Sequence, residues 1–154
     1  MSASLKDVDH GAKALIRSAV RASIGSTLKV GILAGDAQAE GAAPGVTVLD
    51  IATWNEFGTS RIPARSFIRA WYDEQLAKNR QSFRVLFRKV IAGEMDRGQM
   101  WELLGSRFVG EIQKRIVAHI APPNAASTIA QKGSSTPLIN TGQLRSSITY
   151  VVEA

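Results

Sequence analysis

The sequence contains no cysteine, which excludes disulfides, thiolate metal ligands and cysteine nucleophiles together. Its two histidines, His10 and His119, are isolated, and neither has a second histidine at the spacing of a metal site. An enzyme needs a cluster of nucleophile, base or metal ligands, whereas the carboxylates of this chain are scattered. We therefore expect no catalytic residues, no metal and no cofactor.

Long apolar runs are also missing. No stretch approaches the roughly 20 residues that a membrane-spanning helix requires, and the N-terminus, charged at Lys6, Asp7 and Asp9, lacks the apolar core of a signal peptide. The 154 residues, of which 45% are hydrophobic and 21% charged, are enough for one domain with its own core. We expect residues 1–154 to form a single domain that is made in the cytoplasm and enters no membrane.

Hydrophobic periodicity predicts an α+β fold, in which a small, mostly antiparallel sheet packs against two long helices and several shorter ones. The predicted elements are a helix at Asp7–Ile24, a strand at Thr27–Leu33, a helix at Val48–Phe57, long helices at Phe67–Glu94 and Met100–Ile120, and a strand at Ile148–Val152. By periodicity alone the residues after Val48 could also form a strand. Thr47 and Asp50, however, have the spacing of a capping box, which favours a helix.

The two long helices should supply most of the core. The apolar stripe of the first consists of Trp71, Leu76, Phe83, Leu86, Phe87, Val90 and Ile91. Aromatic residues at helical spacing are more often core than a cofactor pocket, and we interpret Trp71, Trp101 and Phe108 in that way. Gly105 lets the second long helix pack closely against a neighbour.

Two segments have too little apolar surface to order by themselves. Gly35–Gly45 is a flexible loop rich in alanine and glycine, and Ala121–Thr136 is an extended arm rich in proline, serine and alanine. Within the arm, Asn124 can cap a short helical turn that runs to Ile129. We expect both segments to be ordered by a neighbouring subunit.

A corner between two helices is predicted at Asn55–Phe67. Gly58 can adopt the left-handed conformation that ends a helix, and Pro63 favours an extended conformation for the residue before it. Glu56 and Arg65 carry opposite charges on either side of this turn. We expect Glu56 to pair with Arg65 or another nearby arginine, or to accept backbone donors, and to perform no chemistry.

A second helix start is predicted within Pro137–Arg145. Asn140 and Gln143 have the spacing of a capping box, while Ile139 and Leu144 have that of a hydrophobic staple. We therefore expect Asn140 to cap a short helix that leads into the final strand.

The positive charge is concentrated in one part of the chain. Between Arg61 and Lys89 there are eight basic and two acidic residues, a net charge of +6 that equals that of the whole chain. Arg80, Arg84 and Arg88 would lie on one face of a helix and form a basic stripe. Such a stripe can contact DNA phosphates, or it can be a solvated face or a contact with an acidic neighbouring subunit. No recognition helix, zinc finger or aromatic-basic RNA motif accompanies it.

Two ordered blocks of the sequence carry a family resemblance. Their residues are Glu56, Phe57, Gly58, Thr59, Ile62, Pro63, Arg65 and Phe67 in the first block, and Leu138, Asn140, Thr141, Gly142 and Leu144 in the second. These blocks resemble the two signatures of a family of neck and tail-completion proteins, minor tail components of tailed bacteriophages. Ser66 departs from the family pattern, which usually has a second proline there.

The resemblance implies a structural virion protein without catalytic residues. Such a protein forms a homo-oligomeric ring at the head-tail junction, here expected to be a hexamer, with a dodecamer as the alternative. It joins the tail to the capsid and lets DNA pass through its lumen without sequence-specific binding. Its other partners would be neighbouring neck proteins, the head-tail connector and the tail terminator or tail tube proteins. The alternatives are a basic nucleic-acid-binding module and the tail-terminator layer of the same virion.

Overall fold

The computed structural model of this protein describes residues 26–33 and 45–153. Its elements are β1 (Thr27–Ile32), α1 (Val48–Phe57), α2 (Arg69–Ile91), α3 (Arg97–Val117), α4 (Ala126–Lys132), α5 (Gln143–Ser146) and β2 (Ile148–Glu153). The fold class is α+β, as the periodicity predicts. The helix predicted at Asp7–Ile24 lies outside the described residues, and so does nearly all of the flexible loop predicted at Gly35–Gly45.

The sheet joins the first and last described elements. β1 and β2 are antiparallel, with Thr27 opposite Glu153 and Ile32 opposite Ile148. An exposed ion pair links Lys29 Nζ to Glu153 Oε1 at 2.7 Å. The predicted small antiparallel sheet is therefore confirmed, and it is formed by the first and last strands.

Helix α3 packs against both strands and against α2. At Gly105 the helix backbone meets the ring of Tyr150 on β2, and a Cβ atom there would lie 2.3 Å from the nearest ring carbon. Only glycine permits this approach, so the predicted close packing at Gly105 is confirmed. The core cluster consists of Val48, Ala52, Phe67, Trp71, Ile112, Ile116, Leu138, Leu144 and Ile148.

Helix α2 is much less buried than its apolar stripe predicts. Of its 23 residues only Trp71 is buried, and the rest of the predicted stripe is half-buried. Trp71 packs edge-on against Phe108 with ring centroids 5.3 Å apart, while Phe83 stacks on Phe87 at 5.5 Å. Trp101 and Phe108 are likewise half-buried, so the predicted core role is confirmed in full for Trp71 alone. Periodicity identifies the apolar face of a helix but not how much of that face its neighbours cover.

Helix α1 has the predicted bounds, and its capping box is complete. The hydroxyl of Thr47 accepts the amide hydrogen of Asp50, whose carboxylate accepts that of Thr47.

Helix α3 begins at Arg97, three residues before the predicted start, because Asp96 caps it and Gln99 completes a second capping box. That Asp-x-x-Gln signal is present in the sequence.

The cap predicted at Asn140 is wrong. The N-cap of α5 is Gly142 in the left-handed conformation, and the hydroxyl of Thr141 accepts the amide hydrogen of Gln143 at 3.4 Å. The chain thus turns two residues later than the capping-box spacing predicts. Asn140 lies in the exposed turn before the helix.

The arm predicted at Ala121–Thr136 contains more helix than expected. Its short helix, α4, continues to Lys132, and its N-cap is Ala125. The predicted cap at Asn124 is wrong, since its side-chain amide donates to the Ser135 carbonyl at 3.5 Å instead. None of the α4 residues is buried.

Within the described residues, no helix combines the length and the apolar character that crossing a bilayer requires.

Candidate functional site

The two sequence blocks meet in one core. Phe67 from the first block and Leu138 and Leu144 from the second pack in the same buried cluster as Val48 and Ala52 of α1. The structure therefore brings together residues that are far apart in the sequence. The shared cluster supports the corner between α1 and α2.

The corner is closed by backbone hydrogen bonds. Gly58 ends α1 with a φ of 78°, and its amide donates to the Trp54 carbonyl at 2.9 Å. A Cβ atom at Gly58 would lie 2.9 Å from the backbone nitrogen of Ala64, so a side chain is excluded there. The hydroxyl of Thr59 accepts the amide hydrogen of Ile62 at 2.9 Å, which tightens the turn.

Glu56 is a buried carboxylate, 7% exposed, at the end of α1. It accepts four hydrogen bonds, from the hydroxyl of Ser66 at 2.6 Å and from the amides of Phe67, Ile68 and Arg69 at 2.8, 3.1 and 3.0 Å. Arg69 is the first residue of α2, Ile68 is its N-cap and Phe67 precedes the N-cap. Ile68 supplies no side-chain cap of its own. Glu56 therefore caps a helix other than its own and places a negative charge at the positive end of the α2 dipole.

The same contacts control the ionisation of Glu56. Burial raises the pKa of its carboxyl, but the hydrogen bonds from Ser66 and the three amides lower it more, and the net pKa lies below its ordinary 4.5. Three kinds of partner are expected for Glu56 from the sequence. Neither Arg65 nor another arginine side chain forms an ion pair with it among the described residues. The third expectation, that Glu56 accepts backbone donors, is confirmed.

Arg65 faces the proline-rich segment instead. The side chain is 6% exposed and donates from Nε to the Pro122 carbonyl at 2.7 Å and from Nη2 to the Pro123 carbonyl at 3.0 Å. Burial lowers the pKa of its guanidinium. Lys132, at the end of α4, donates from Nζ to the carbonyls of Thr136 and Pro137 at 3.3 and 3.0 Å. Burial and then the charge of Arg65 lower the pKa of this ammonium group.

These contacts border a half-open cavity of about 640 Å³ between the corner and the segment after α3. Its lining residues are Asn55, Arg61, Ile62, Pro63, Arg65, Pro122, Pro123, Asn124, Ala125, Thr128, Lys132 and Pro137. We call it the corner cavity. It contains Ile62, Pro63 and Arg65 from the first sequence block.

Three large apolar side chains of α1 are exposed, those of Leu49, Trp54 and Phe57. Phe57 is 64% exposed, and the guanidinium carbon of Arg69 lies 5.2 Å from its ring centroid. We call Leu49, Trp54 and Phe57 the apolar α1 surface.

The predicted basic stripe of Arg80, Arg84 and Arg88 is exposed on α2.

Sequence reasoning missed a polar link between α2 and α3. Glu111 accepts the indole hydrogen of Trp71 at 3.0 Å and pairs with Arg107 at 2.8 Å. Burial raises the pKa of Glu111, but these partners and the charge of Lys78 lower it more. The spacing of Arg107 and Glu111 on one helix signals the ion pair, whereas nothing in the sequence signals the contact with Trp71.

The described residues contain no group of three or more histidine, cysteine or carboxylate side chains that could hold a metal ion. Comparisons of the chain with protein-family models, with curated proteins and with solved structures found no match.

Proposed function

We propose that this chain is a structural subunit of a tailed-phage virion and forms a ring at the head-tail junction. The observation that supports the proposal is that both blocks with the family resemblance contribute residues to one core. The folded subunit also exposes two surfaces of different chemical character. One is the apolar α1 surface and another is the basic stripe on α2. A closed ring needs two different complementary surfaces on each subunit, because its contacts are head-to-tail.

The shape of α2 supports an assembly role. A helix of 23 residues is about 35 Å long. With Trp71 as its only buried residue, most of that length is available for contacts with neighbours. A specific interface buries about 800 Å² per partner, which requires exposed elements of this size.

In the proposed ring six copies surround a lumen through which DNA passes without sequence-specific binding. The neighbours along the axis are the head-tail connector and neck proteins on one side and the tail terminator or tail tube on the other. The protein belongs to the virion after synthesis in the host cytoplasm. No catalytic step is assigned to it.

Two measurements test this proposal. Native mass spectrometry and electron microscopy of the purified chain should show closed rings that form without DNA. Phage particles produced without the protein should consist of full heads lying apart from tails, and adding the protein should join them. A chain that stays monomeric at every concentration, together with normal particles in its absence, would contradict the proposal.

A basic nucleic-acid-binding module is the second candidate. Arg80, Arg84 and Arg88 are exposed and have no ion-pair partner among the described residues. Under this alternative the monomer shifts the mobility of duplex DNA, the affinity falls as salt rises, and replacing the three arginines with glutamine reduces the salt slope. Under the ring proposal the monomer shows no such shift at physiological salt.

A ring that captured isolated tail tubes but not capsids would instead indicate the tail-terminator layer.

A further inference from the structure

The corner cavity has an unbalanced charge. Three cationic side chains, those of Arg61, Arg65 and Lys132, line it, and none of its lining residues is acidic. The ion pairs in the described part of the chain involve Lys29, Arg107 and Arg115, none of which lines the cavity. The cavity therefore holds positive charge without a counter-charge from the residues that line it.

The two inner cations are positioned but not neutralised. Arg65 uses Nε and Nη2 for carbonyl oxygens, and no partner within the described residues occupies its Nη1. Lys132 donates to two carbonyls and keeps a third ammonium hydrogen. Carbonyl oxygens supply partial charges only, and a buried cation without an anionic partner is costly. An incoming anion would find donors that the carbonyls already orient, with Arg65 buried and Lys132 half-buried.

The remaining wall identifies the kind of anion. Ile62, Pro63, Pro122, Pro123 and Pro137 give the cavity an apolar lining. The volume of about 640 Å³ is far larger than the roughly 30 Å³ of one water molecule. A carboxylate carried by a polypeptide fits these features, because its aliphatic stem and flanking backbone can cover the proline rings. A DNA phosphate is flanked by polar sugar-phosphate groups and would leave that wall uncovered.

We propose that the corner cavity binds an acidic side chain from a segment of a second protein chain, with its carboxylate between Arg65 and Lys132. Arg61, which is exposed, adds charge at the edge of the cavity. The proposal deepens the function proposed above and rests on it only in that the second chain is a neighbour in the assembly. Charge complementarity and the apolar wall are the arguments for this occupant.

The test uses two acetylated pentapeptide amides made of alanine, one with a central glutamate and one with a central glutamine. Each is titrated onto the full chain at a protein concentration below that of ring formation and followed by backbone NMR shifts. We expect the glutamate peptide to bind at least about tenfold more tightly, because charge-assisted hydrogen bonds replace neutral ones. The largest shifts should occur at residues 61–65 and 122–132. Equal binding of the two peptides would overturn the proposal.

Variants locate the effect. Lys132→Met should remove most of the preference for glutamate, whereas Lys114→Met, at an exposed lysine on α3, should leave it unchanged. If Lys132→Met disturbs α4, Arg61→Gln provides a second test at an exposed position. We expect it to reduce the preference for the glutamate peptide by a smaller factor. A preference that survives both cavity variants would contradict the assignment.

Two competitors distinguish the source of the anion. Inorganic phosphate or a DNA duplex that bound to the same residues more tightly than the glutamate peptide would overturn the protein-segment occupant. Since the peptides are added to the single chain, the result does not depend on ring formation. Failure here would leave the ring proposal standing, and failure of the ring would leave this binding result intact.

Discussion

At the residue scale, Glu56 shows how one side chain can hold two helices together. It belongs to α1, yet it accepts the amide hydrogens of Phe67, Ile68 and Arg69, where the chain enters α2. Arg69, whose amide Glu56 accepts, lies over the ring of Phe57 and adds a second contact between the same helices. The angle of the corner thus depends on a carboxylate that is ionised at neutral pH.

Replacing Glu56 with glutamine should destabilise the fold by roughly 1.5–3 kcal/mol at pH 7, the range for hydrogen bonds to a charged group. The glutamine amide would also direct its own hydrogens toward backbone donors. Urea denaturation measures the loss. Glu153→Gln is the matched control, because it removes the same charge from an exposed ion pair and should cost no more than about 1 kcal/mol. Equal losses of unfolding free energy in the two variants would show that the hydrogen bonds of Glu56 contribute no more than an exposed ion pair.

The pH dependence follows from the direction of the pKa shift. Because the folded pKa of Glu56 is lowered below 4.5, its carboxylate stabilises the fold above pH 4.5. That contribution is lost as the pH falls through the folded pKa. The difference in unfolding free energy between wild type and Glu56→Gln should therefore shrink in acid. A difference that stays constant from pH 7 to pH 3 would contradict a role for the ionised form.

Gly105 and Gly110 provide a matched pair of substitutions within α3. Gly110→Ala meets no atom within 4 Å and should stabilise the protein by about 0.5–1 kcal/mol through helix propensity. Gly105→Ala gains the same propensity but forces its Cβ against the Tyr150 ring, so we expect a net loss of roughly 1–2 kcal/mol. Thermal unfolding distinguishes the two. If both variants were equally stabilised, the packing of α3 against β2 would have to be looser than the structure shows.

At the scale of the elements, helix starts depend on which residue occupies the N-cap. Asp96 accepts the amide hydrogens of Gly98 and Gln99 at 2.7 and 3.4 Å and begins α3. Asn140 has a suitable residue type and spacing but lies outside α5, whose N-cap is Gly142. A capping motif therefore acts only where the backbone enters the helix at that residue.

This difference is testable by alanine substitution. Asp96→Ala should lower the unfolding free energy by roughly 0.5–2 kcal/mol, as the loss of a helix cap does. Asn140→Ala should change it by less than about 0.5 kcal/mol, the usual limit for surface positions. Chemical denaturation of both variants under one condition provides the comparison. A larger loss of unfolding free energy for Asn140→Ala would show that Asn140 does cap the helix.

At the scale of the whole molecule, burial is uneven. The two strands, α1, α3 and the end of the chain surround one core, while α2 touches that core mainly through Trp71. The apolar α1 surface remains exposed beside the corner. A subunit that keeps such surfaces exposed is suited to contacts with neighbours.

Phe57→Ser tests whether the apolar α1 surface serves assembly. Phe57 is 64% exposed, so the unfolding free energy of the subunit should change by no more than about 1 kcal/mol. Ring formation should require at least about tenfold more protein, because central aromatic residues dominate interface energies. Leu103→Ser, at a 52% exposed position on α3, is the control and should assemble normally. Analytical ultracentrifugation measures both, and normal assembly of Phe57→Ser would exclude this surface from the ring contact.

Features that depend on neighbours within a few residues follow from the sequence alone. The α+β class, the strand from Thr27, the bounds of α1 and its capping box all follow from periodicity and local hydrogen bonding. The turn at Gly58 follows from local backbone geometry as well. For the capping box and the turn, each hydrogen-bond partner lies three or four residues away, so spacing is sufficient. For the strand, the alternation of apolar and polar residues is the local signal.

Which distant groups meet depends instead on the tertiary structure. It assigned the Glu56 carboxylate to the amides of α2 and the Arg65 guanidinium to the proline carbonyls, although opposite charge favoured pairing them. It also left most of α2 outside the core and moved the cap of α5 from Asn140 to Gly142. The physical reason is that burial and long-range hydrogen bonds depend on how elements pack, and no local pattern specifies that packing.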